Sequence, residues 1–519
     1  MTTSTWYVIA IIIYLFAMLA IGYWSYKQTD EYDDYVLGGR GLHPFVAALS
    51  AGASDMSGWL LMGLPGALFL NGFSEIWMAL GLLIGAWTNW KLVAPRLRAY
   101  SEVAGDSITV PSFFENRLHD KSRILRIVAA LIIIFFFTFY VSSGMVSGGR
   151  YFESTFGGDY LMGMLIVAAV TVIYTFVGGF LAVSYTDVVQ GILMFASLII
   201  VPIMAVIALD NPADIFSFAA NNPYSASNLE NPNFFSVVAG VSAGVIIGNF
   251  AWGLGYFGQP HIIIRFMALR KPSDARQGRF YGVTWMFLSV LGAIFVALVG
   301  TVFFTQNNYS ITDQENFETI FLDMAQVMFH PLPAGLVLTA VLAAIMSTMS
   351  SQLLAVSTSL IEDLAKIFLK RTPQQSTLIN LSRTMVLIIA VVAAIMAIHP
   401  SDSILALVGF AWAGFGAAFG PLVLYALYWR RLNAPGAIAG MVVGALTTVI
   451  WGMSPLSDVL YEIVPGFLLS AIVIYVVSIS TREPDAKVKE EFDNATKLSQ
   501  LVDENENLDF EEAAEKVQK

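Results

Sequence analysis

Thirteen long hydrophobic stretches constrain the fold of this 519-residue chain more than any other feature. An apolar run of about 20 residues is long enough to cross a bilayer as a helix. Only 13% of the residues are charged, whereas a soluble domain carries roughly 25%. The sequence therefore predicts an all-α polytopic membrane protein with thirteen transmembrane helices. Their expected bounds are about 6–26, 44–70, 75–95, 124–148, 160–182, 187–208, 233–257, 279–304, 332–357, 380–398, 402–428, 436–455 and 459–480.

The basic residues predict how these spans are oriented. Lys and Arg are enriched in the cytoplasmic loops of membrane proteins. If the first residue lies outside and the sides alternate, 26 of the 27 Lys and Arg residues fall on the inner side, and Arg150 alone stays outside. The first stretch is too long for the core of a cleaved signal peptide. We therefore expect the N-terminus outside and the C-terminus inside.

Two of the stretches are interrupted near their middle by small and polar residues. The second contains the segment Ser50–Gly58, and the seventh contains Gly248–Gly255. Because they lie five spans apart, two five-span blocks that begin there have opposite orientations, as in an inverted repeat with broken first helices. Glycine-rich packing faces are the alternative. The expected division is a first helix and inner loop (1–43), repeats at 44–208 and 233–428, two further spans (429–480) and an acidic inner tail (481–519).

The break in the second span predicts a cation site. A broken helix frees backbone carbonyls where bulk water is absent, and hard cations such as sodium prefer oxygen ligands. Ala53 and Met56 supply two candidate carbonyls. In the ninth span Ser347 and Thr348 offer adjacent hydroxyls, and Ala344 adds a carbonyl one turn earlier. Five neutral oxygens make a weak sodium site, as a transporter requires; ordinary back-bonding of Ser and Thr is the alternative.

Three charged residues are candidates for a role near these breaks. A carboxylate in the middle of a span costs roughly 2.5–3.5 kcal/mol on insertion scales, so Asp55 is a functional candidate. It either binds the cation or caps the broken half-helix. Asp187 is expected at the start of the sixth span, where a helix cap is the simpler interpretation. Arg40 lies in a glycine-rich inner loop, where a charge that only sets orientation is the simpler interpretation.

Aromatic residues near the breaks are candidates for binding an organic ammonium by a cation–π contact. Trp252 and Tyr256 are one helical turn apart in the seventh span, and Tyr140 lies in the polar end of the fourth. Aromatic residues are also common at the ends of spans for structural reasons. Pro260 is expected to end the seventh span, and Gly63 is expected to allow a close backbone approach or a kink.

The rest of the composition argues against other classes of protein. The chain has no cysteine, and its five histidines show no metal-ligand spacing. It contains neither a nucleophile–base set nor a basic stripe for nucleic acid. We therefore expect neither an enzyme nor a resident cofactor, and no nucleic-acid or obligate protein partner. The tail after Thr481, with 12 acidic residues, is expected to be solvated and partly helical from Phe492 onward.

Several segments resemble the sodium/solute symporters, and most closely their bacterial proline-transporting members. The run SAGASDMSGWLLMGLPGA around Asp55 is the most specific of them. The resemblance covers essentially residues 6–480 and implies a LeuT-like core of five plus five helices in the bacterial inner membrane. The other matching segments are VAPRLRAYSEVAGDSITVPSFFENRL (93–118), YTFVGGFLAVSYTDVVQG (174–191), GLGYFGQPHIIIRFMA (253–268), AAIMSTMSSQLL (343–354) and AWAGFGAAFGP (411–421).

The resemblance also implies roles for particular residues. It implies sodium at the five oxygens named above, and it assigns Asp55 with Ser57 and Gly58 to sodium and substrate binding. It places Asp187 on the inner sodium route and gives Arg40 a part in coupling. The substrate pocket implied in this way contains Tyr140, Trp252, Tyr256 and Pro260, and we add Trp59 and Gly63 from the same motif as Asp55.

The function expected from the sequence is sodium-coupled symport of L-proline by alternating access, with the lipid bilayer as the surrounding medium. One rival is a symporter of the same family for pantothenate, a sugar or sialic acid. A second is proton coupling through Asp55, which the neutral oxygen set argues against. The third is a membrane sensor or channel, although the 39-residue tail is too short for a kinase output domain.

Overall fold

A computed structural model describes residues 2–27, 32–220, 234–313, 315–368, 374–400, 402–504 and 513. Within these ranges the protein is all-helical, apart from an isolated bridge between Leu42 and Leu269. Ten helical stretches of the described chain are long and apolar enough to cross a membrane. An all-α membrane protein is therefore confirmed, whereas the thirteen-span count and the orientation stay predictions.

The helices follow in chain order. They are α1 (Thr3–Tyr26), α2 (Tyr32–Leu37), α3 (Pro44–Asp55), α4 (Leu64–Asn71), α5 (Ile76–Thr88), α6 (Ala94–Val103), α7 (Val110–Leu118), α8 (Ile124–Phe156), α9 (Tyr160–Ile207), α10 (Ile215–Ala220), α11 (Ala243–Ala251), α12 (Pro260–Met267), α13 (Asp274–Asn307), α14 (Ile320–Met328), α15 (Pro331–Thr358), α16 (Lys366–Phe368), α17 (Gln375–Ala397), α18 (Ile404–Tyr428), α19 (Ala434–Gly452), α20 (Ile463–Ser480) and α21 (Ala486–Glu504).

Both predicted helix breaks are confirmed. Helix α3 ends at Asp55, Met56 leaves the helical region with ψ at 81°, and a π-helical turn over Trp59–Gly63 leads into α4. Helix α11 ends at Ala251, and a 3₁₀ segment over Trp252–Gly258 precedes α12. Each break leaves backbone groups outside a regular α-helical ladder within the membrane-spanning part of the chain.

The expected role of Pro260 as a helix stop is wrong. Pro260 is the first residue of α12, so the seventh hydrophobic stretch continues beyond it to Met267. Proline suits this position because the first N–H groups of a helix have no intrahelical partner and its fixed φ is already helical. It therefore restarts the helix after the break instead of ending the span.

The expected turn between the fifth and sixth spans is also displaced. Residues 183–186 were expected to link the two spans, but they are helical within α9, and the chain instead turns at Gly179, where φ is +62° and ψ is −170°. A side chain there would also strike the ring of Tyr35. Asp187 consequently lies well inside α9 and does not cap a helix start, which corrects that expectation.

The first part of the acidic tail is not solvated as expected. Helix α21 packs against α6 and α7 and buries Val488, Phe492, Ala495 and Leu498. The Phe492 ring contacts the Tyr100 ring edge-on, with centroids 6.1 Å apart. These apolar residues recur at helical spacing, a signal that the many charged residues of the segment obscured. Residues 505–512 and 514–519 lie outside the described part of the chain.

Candidate functional site

The break after α3 is joined to α15 by the oxygens of four predicted sodium ligands. The Ala53 carbonyl accepts hydrogen bonds from the hydroxyls of Ser347 (2.8 Å) and Thr348 (3.3 Å). Ser347 also lies 3.0 Å from the carbonyl oxygen of Ala344. All four residues are at most 2% exposed. Since each oxygen is neutral, the cluster can satisfy a small hard cation without holding it tightly.

Met56, the fifth predicted ligand, is fully buried at the break. Its N–H donates to the Gly52 carbonyl at 2.8 Å and so closes the last turn of α3. Its own carbonyl follows directly after that turn. Met56 thus follows the last turn of α3, and none of the described contacts links its carbonyl to the other four oxygens.

Asp55 connects the two broken helices. Its Oδ2 accepts a 2.5 Å hydrogen bond from the Tyr256 hydroxyl, in the 3₁₀ segment before α12. Its backbone carbonyl accepts bonds from Trp59 Nε1 at 3.0 Å and from the Tyr140 hydroxyl at 3.4 Å. Among the described residues, the buried Oδ1 has no hydrogen-bond partner. The carboxylate therefore contacts the opposite break, and not a backbone N–H of its own half-helix, which argues against a capping role.

Ser57 and Gly58 shape the break itself. The Ser57 N–H donates to the Asp55 carbonyl at 3.0 Å, and its hydroxyl lies 3.4 Å from the backbone nitrogen of Trp59. A Cβ at Gly58 would lie 2.9 Å from the Ser147 hydroxyl of α8. Gly58 is therefore the residue that lets α8 approach the unwound chain.

Aromatic rings cluster beside Asp55. Trp252 stacks with Tyr461 at 5.3 Å and with Trp412 at 6.3 Å, and Trp59 lies 6.5 Å from it at a tilt. Tyr256 meets Trp412 edge-on at 5.0 Å. Trp252 and Tyr256 belong to a 3₁₀ segment, so they do not share one α-helical face as expected. Trp412 and Tyr461 were not predicted from the sequence, although Trp412 lies in the segment AWAGFGAAFGP (411–421) that resembles the family.

A cavity of about 710 Å³ leads from the surface to these rings. Gly63, Trp252 and Tyr461 line it, together with several carboxylates from the surrounding loops and helices. A Cβ at Gly63 would lie 3.3 Å from the Leu405 side chain, so its predicted close approach is to α18. The lining carboxylates belong to Glu75, Glu318, Asp402, Asp458 and Glu462.

Asp187 forms a buried ion pair that the sequence analysis missed. Its Oδ2 lies 3.3 Å from Arg265 of α12 and accepts a 2.7 Å hydrogen bond from the Ser50 hydroxyl. Arg265 also lies 2.8 Å from the Ser351 hydroxyl and bonds the His261 carbonyl. The network joins α3, α9, α12 and α15. Its members Ser50 and Ser351 lie one helical turn from the predicted sodium ligands Ala53 and Thr348. The signal for it was a lone arginine within an apolar helix.

Arg40 is fixed in place by several partners. Its guanidinium contacts the Asp106 carboxylate at 2.9 Å, the Ser101 hydroxyl at 2.9 Å, and the carbonyls of Met267 and Ser107 at 2.9 Å each. The Leu42 N–H also donates to the Ala268 carbonyl at 3.0 Å. The loop before α3 is thus bound to the end of α12, so the simpler interpretation, a charge that only sets orientation, does not describe it.

Comparison with known proteins gives one consistent family. The model of the sodium:solute symporter family matches residues 35–444. The chain is 50% identical over 481 residues to the high-affinity proline transporter PutP of Bacillus subtilis, which covers 92% of this chain and 98% of that protein. It is 46% identical over 497 residues to the sodium/proline symporter of Salmonella typhimurium, covering 95% and 97%.

Solved structures show the same fold. A sodium-coupled sialic acid symporter in a substrate-bound outward-open state superposes with a TM-score of 0.77 at 18% identity, covering 92% of this chain and 99% of that one. Mhp1, a nucleobase-cation-symport-1 family transporter, superposes with a TM-score of 0.55 at 14% identity. That match covers 88% of this chain and 97% of the Mhp1 chain. At these identities the likeness concerns the fold alone.

Proposed function

Because this chain belongs to the sodium:solute symporter family, we propose that it carries L-proline into the bacterial cell together with sodium by alternating access. Sequence relatives named as proline transporters, similar over nearly their whole length, support the choice of substrate. Sodium is the coupling ion, and no resident cofactor takes part. The protein is proposed to act in the inner membrane without an obligate protein partner.

One observation carries the proposal for sodium: the Ala53 carbonyl meets the hydroxyls of Ser347 and Thr348 across two helices. Sodium bound by these oxygens, with the carbonyls of Met56 and Ala344, would bridge the broken α3 to α15. It would thereby hold the break in one geometry. Because the ligands are neutral, the ion can leave again once the helices separate.

The substrate is proposed to bind beside Asp55, where the two breaks meet. Its ring ammonium would contact the aromatic rings by a cation–π interaction, and its carboxylate would face the positive end of a half-helix dipole. We assign to this site Trp59, Gly63, Tyr140, Trp252, Tyr256 and Pro260. Asp55, Ser57 and Gly58 would link it to sodium, since they belong to the same break as Ala53.

The inner end of the pathway is assigned to Asp187 and Arg40. Asp187 lies one helical turn beyond the sodium ligands through its bond to Ser50, a position suited to attracting the departing ion. Arg40 binds the loop before α3 to the end of α12, so that the inner halves of both broken helices would move together. Each role is a proposal for these residues.

The proposed topology has thirteen spans, with the N-terminus outside and the C-terminus inside. Ten stretches of the described residues are long and apolar enough on their own. The stretch Trp59–Val103, at 45 residues, is about twice the length one crossing needs, and residues 160–178 and 243–267 supply the two crossings that remain. The inverted repeats are assigned to 44–208 and 233–428, with 1–43, 429–480 and the inner tail 481–519 outside them.

Uptake of labelled proline into proteoliposomes tests the function. An inward sodium gradient is expected to drive uptake, and an equal potassium gradient is not. Thr348→Ala should raise the sodium concentration for half-maximal uptake by about tenfold or more, because it removes one of the five oxygens proposed to coordinate the ion. A polar group that contacts a charge contributes about 1.5–3 kcal/mol when the contact is a hydrogen bond, and we expect a loss of the same order here. Thr339→Ala is the matched control, because among the described residues the hydroxyl of Thr339 bonds the Gly335 carbonyl of its own helix and no other group.

Three results would contradict this function or site. If the unchanged protein shows no sodium-driven uptake of proline, then proline is not the substrate or sodium is not the coupling ion. Uptake of a panel of solutes under sodium and proton gradients would then identify the alternative. Equal effects of the two threonine changes would remove the proposed sodium site. Uptake driven by a proton gradient alone would favour Asp55 as a proton carrier.

A further inference from the structure

The loop between α19 and α20 (residues 453–462) lies on the outer half of the second broken helix. The loop packs directly on Gly244 and Gly248, which lie one turn apart on α11. A Cβ at Gly244 would collide with the Val459 carbonyl, and a Cβ at Gly248 would lie 2.9 Å from the Tyr461 Cβ. Trp451 Nε1 donates to the Leu460 carbonyl at 2.8 Å and holds the end of the loop. The loop is thus fitted closely to a helix of the proposed transport core.

This loop places Tyr461 over the aromatic cluster. The Tyr461 ring stacks on Trp252 with an interplanar angle of 22° and centroids 5.3 Å apart. Its hydroxyl donates to the Gly409 carbonyl of α18 at 2.6 Å. Both Tyr461 and Trp252 line the 710 Å³ cavity. Tyr461 therefore covers one face of Trp252 on the cavity wall, so a solute that stacks on that face must displace the Tyr461 ring.

We propose that Tyr461 is the lid of the solute site and limits the size of the ring that the site accepts. This inference rests on the proposed function, because it takes Trp252 as part of the solute site. The residue comes from outside both proposed repeats, so it would add selectivity to a core that the repeats build. Its packing on α11 also means that movement of the broken helix would shift the lid.

A ring homologue provides the test. One extra methylene in a closely fitting apolar pocket is worth about 10–200-fold in discrimination. In the unchanged protein, the six-membered-ring homologue of proline is expected to compete at least about tenfold more weakly than unlabelled proline. In Tyr461→Ala the difference should fall below about threefold, with a raised KM for proline and a nearly unchanged maximal rate, as expected for a lost binding wall.

Two further variants separate the ring from the hydroxyl and from general damage. Tyr461→Phe keeps the ring and should keep the discrimination. Gly248→Ala should displace the loop and reduce the discrimination in the same direction as Tyr461→Ala. Gly22→Ala is the matched control for a glycine change, because nothing lies within 4 Å of a Cβ there. Full discrimination in both Tyr461→Ala and Gly248→Ala would overturn the proposal.

A second measurement does not depend on the substrate. Because the chain has no native cysteine, Gly409→Cys places a unique thiol where a Cβ lies 3.7 Å from the Tyr461 hydroxyl. Its labelling by a membrane-impermeant thiol reagent should be at least about fivefold faster when Tyr461→Ala is added, whereas Ala67→Cys on α4 should not change. Equal rates at position 409 would overturn the lid. Failure of proline uptake by the unchanged protein would instead count against the proposed function.

Discussion

Arg265 carries a charge into the interior, where its guanidinium is only 2% exposed. Moving an ion out of water costs several kcal/mol, and only a well-placed counter-charge with further hydrogen bonds offsets that cost. Asp187, Ser50 and Ser351 supply those contacts. The three partners come from three different helices, so this one side chain holds α12 against α3, α9 and α15.

This pairing predicts a large loss of stability when one partner is neutralised. Asp187→Asn should lower the free energy of unfolding by about 3–5 kcal/mol, because it leaves the Arg265 charge buried and uncompensated. The double variant Asp187→Asn with Arg265→Gln should recover much of the loss. Thermal unfolding in detergent measures both, with the exposed Asp210→Asn as the control. If Asp187→Asn unfolds like the unchanged protein yet loses sodium-dependent uptake, Asp187 acts on the ion and not as a structural partner.

Glu318 lies in the loop before α14, and we expect its protonation to make the stability of the protein depend on pH. Burial raises the pKa of this carboxyl to about 7, although the neighbouring Arg150 lowers it and Asp313 raises it further. A folded-state pKa above the unfolded one means that the native protein binds more protons between about pH 4.5 and 7. The contribution of Glu318 to stability is therefore greatest at the acidic end of this window and falls as pH rises to 7.

Melting temperatures of the unchanged protein and Glu318→Gln test this sign. The melting temperature of the unchanged protein, relative to the variant, should fall as pH increases from 5 to 7 and should change little above about pH 7.5. Glu315→Gln, in the same loop but more exposed, should follow the unchanged protein. A difference that grows in favour of the unchanged protein as pH rises would show that the Arg150 ion pair outweighs burial.

The sequence was sufficient to predict those functional residues whose partners lie in the same short segment of the chain. The small-residue break around Asp55 and the adjacent hydroxyls of Ser347 and Thr348 are recognisable because each lies within one short segment. Arg265, Trp412 and Tyr461 act through partners far away in the chain, such as Asp187 and Trp252. Nothing local separates these residues from ordinary charged or aromatic residues of a span, so their contacts required the fold.

At the scale of elements, hydropathy located the helices but not how they bend. The turn at Gly179 requires a positive φ, which glycine adopts without steric cost, yet the residues around it are as apolar as the helix itself. Pro260 does lie at a helix boundary as predicted, but it begins α12 instead of ending the helix before it. Proline marks the beginning of a helix as readily as its end, so a proline alone does not fix the side on which the helix lies.

Helix α21 predicts a specific effect of removing one ring. Phe492 contacts Tyr100 of α6 and lies 5.0 Å from the guanidinium of Arg117 on α7. Phe492→Ala should cost about 3–5 kcal/mol of docking and release α21 from α6 and α7. The measurement is limited trypsin digestion at Lys487, Lys489 and Lys497, which should become markedly faster, while the melting temperature of the membrane part stays nearly unchanged.

The neighbouring ion pairs provide the control for this helix. Asp493→Asn removes the 2.7 Å contact with Arg430, but both side chains are largely exposed, and exposed pairs are worth only about 0–1 kcal/mol. Its digestion rate should stay within about threefold of the unchanged protein. If the loss of Asp493 releases α21 as strongly as the loss of Phe492 does, charge and not apolar burial docks the helix.

In the described part of the molecule, a cavity opens at the aromatic cluster, and ion pairs join the helices elsewhere. The cavity beside Trp252 reaches the proposed outer surface. On the proposed inner side, Arg40 binds α12 to the loop before α3, and Arg265 crosses to α15. Arg126 at the start of α8 contacts Glu115, Glu362 and Asp363 in a further cluster. With the proposed orientation, we interpret this arrangement as an outward-open state of the proposed alternating-access cycle.

If the two ligands shift the molecule between such states, the accessibility of opposite sides must change in opposite directions. The cysteine-free chain allows unique thiols at Ala67→Cys, on the cavity wall, and at Ser351→Cys, beside Arg265. Without ligands, an impermeant reagent should label position 67 readily from outside and position 351 poorly from inside. Sodium alone should preserve or increase labelling at 67, because it is proposed to stabilise the state shown here.

Sodium and proline together should slow labelling at position 67 and accelerate it at position 351, because transport then populates the inward-open state. The coupling must also be reciprocal: proline should raise the affinity for sodium by the same factor by which sodium raises the affinity for proline. Thr348→Ala should weaken this response at both positions, whereas Thr339→Ala should preserve it. If the labelling rates at positions 67 and 351 increase together or decrease together, alternating access is contradicted. That mechanism requires one side of the protein to close when the other opens.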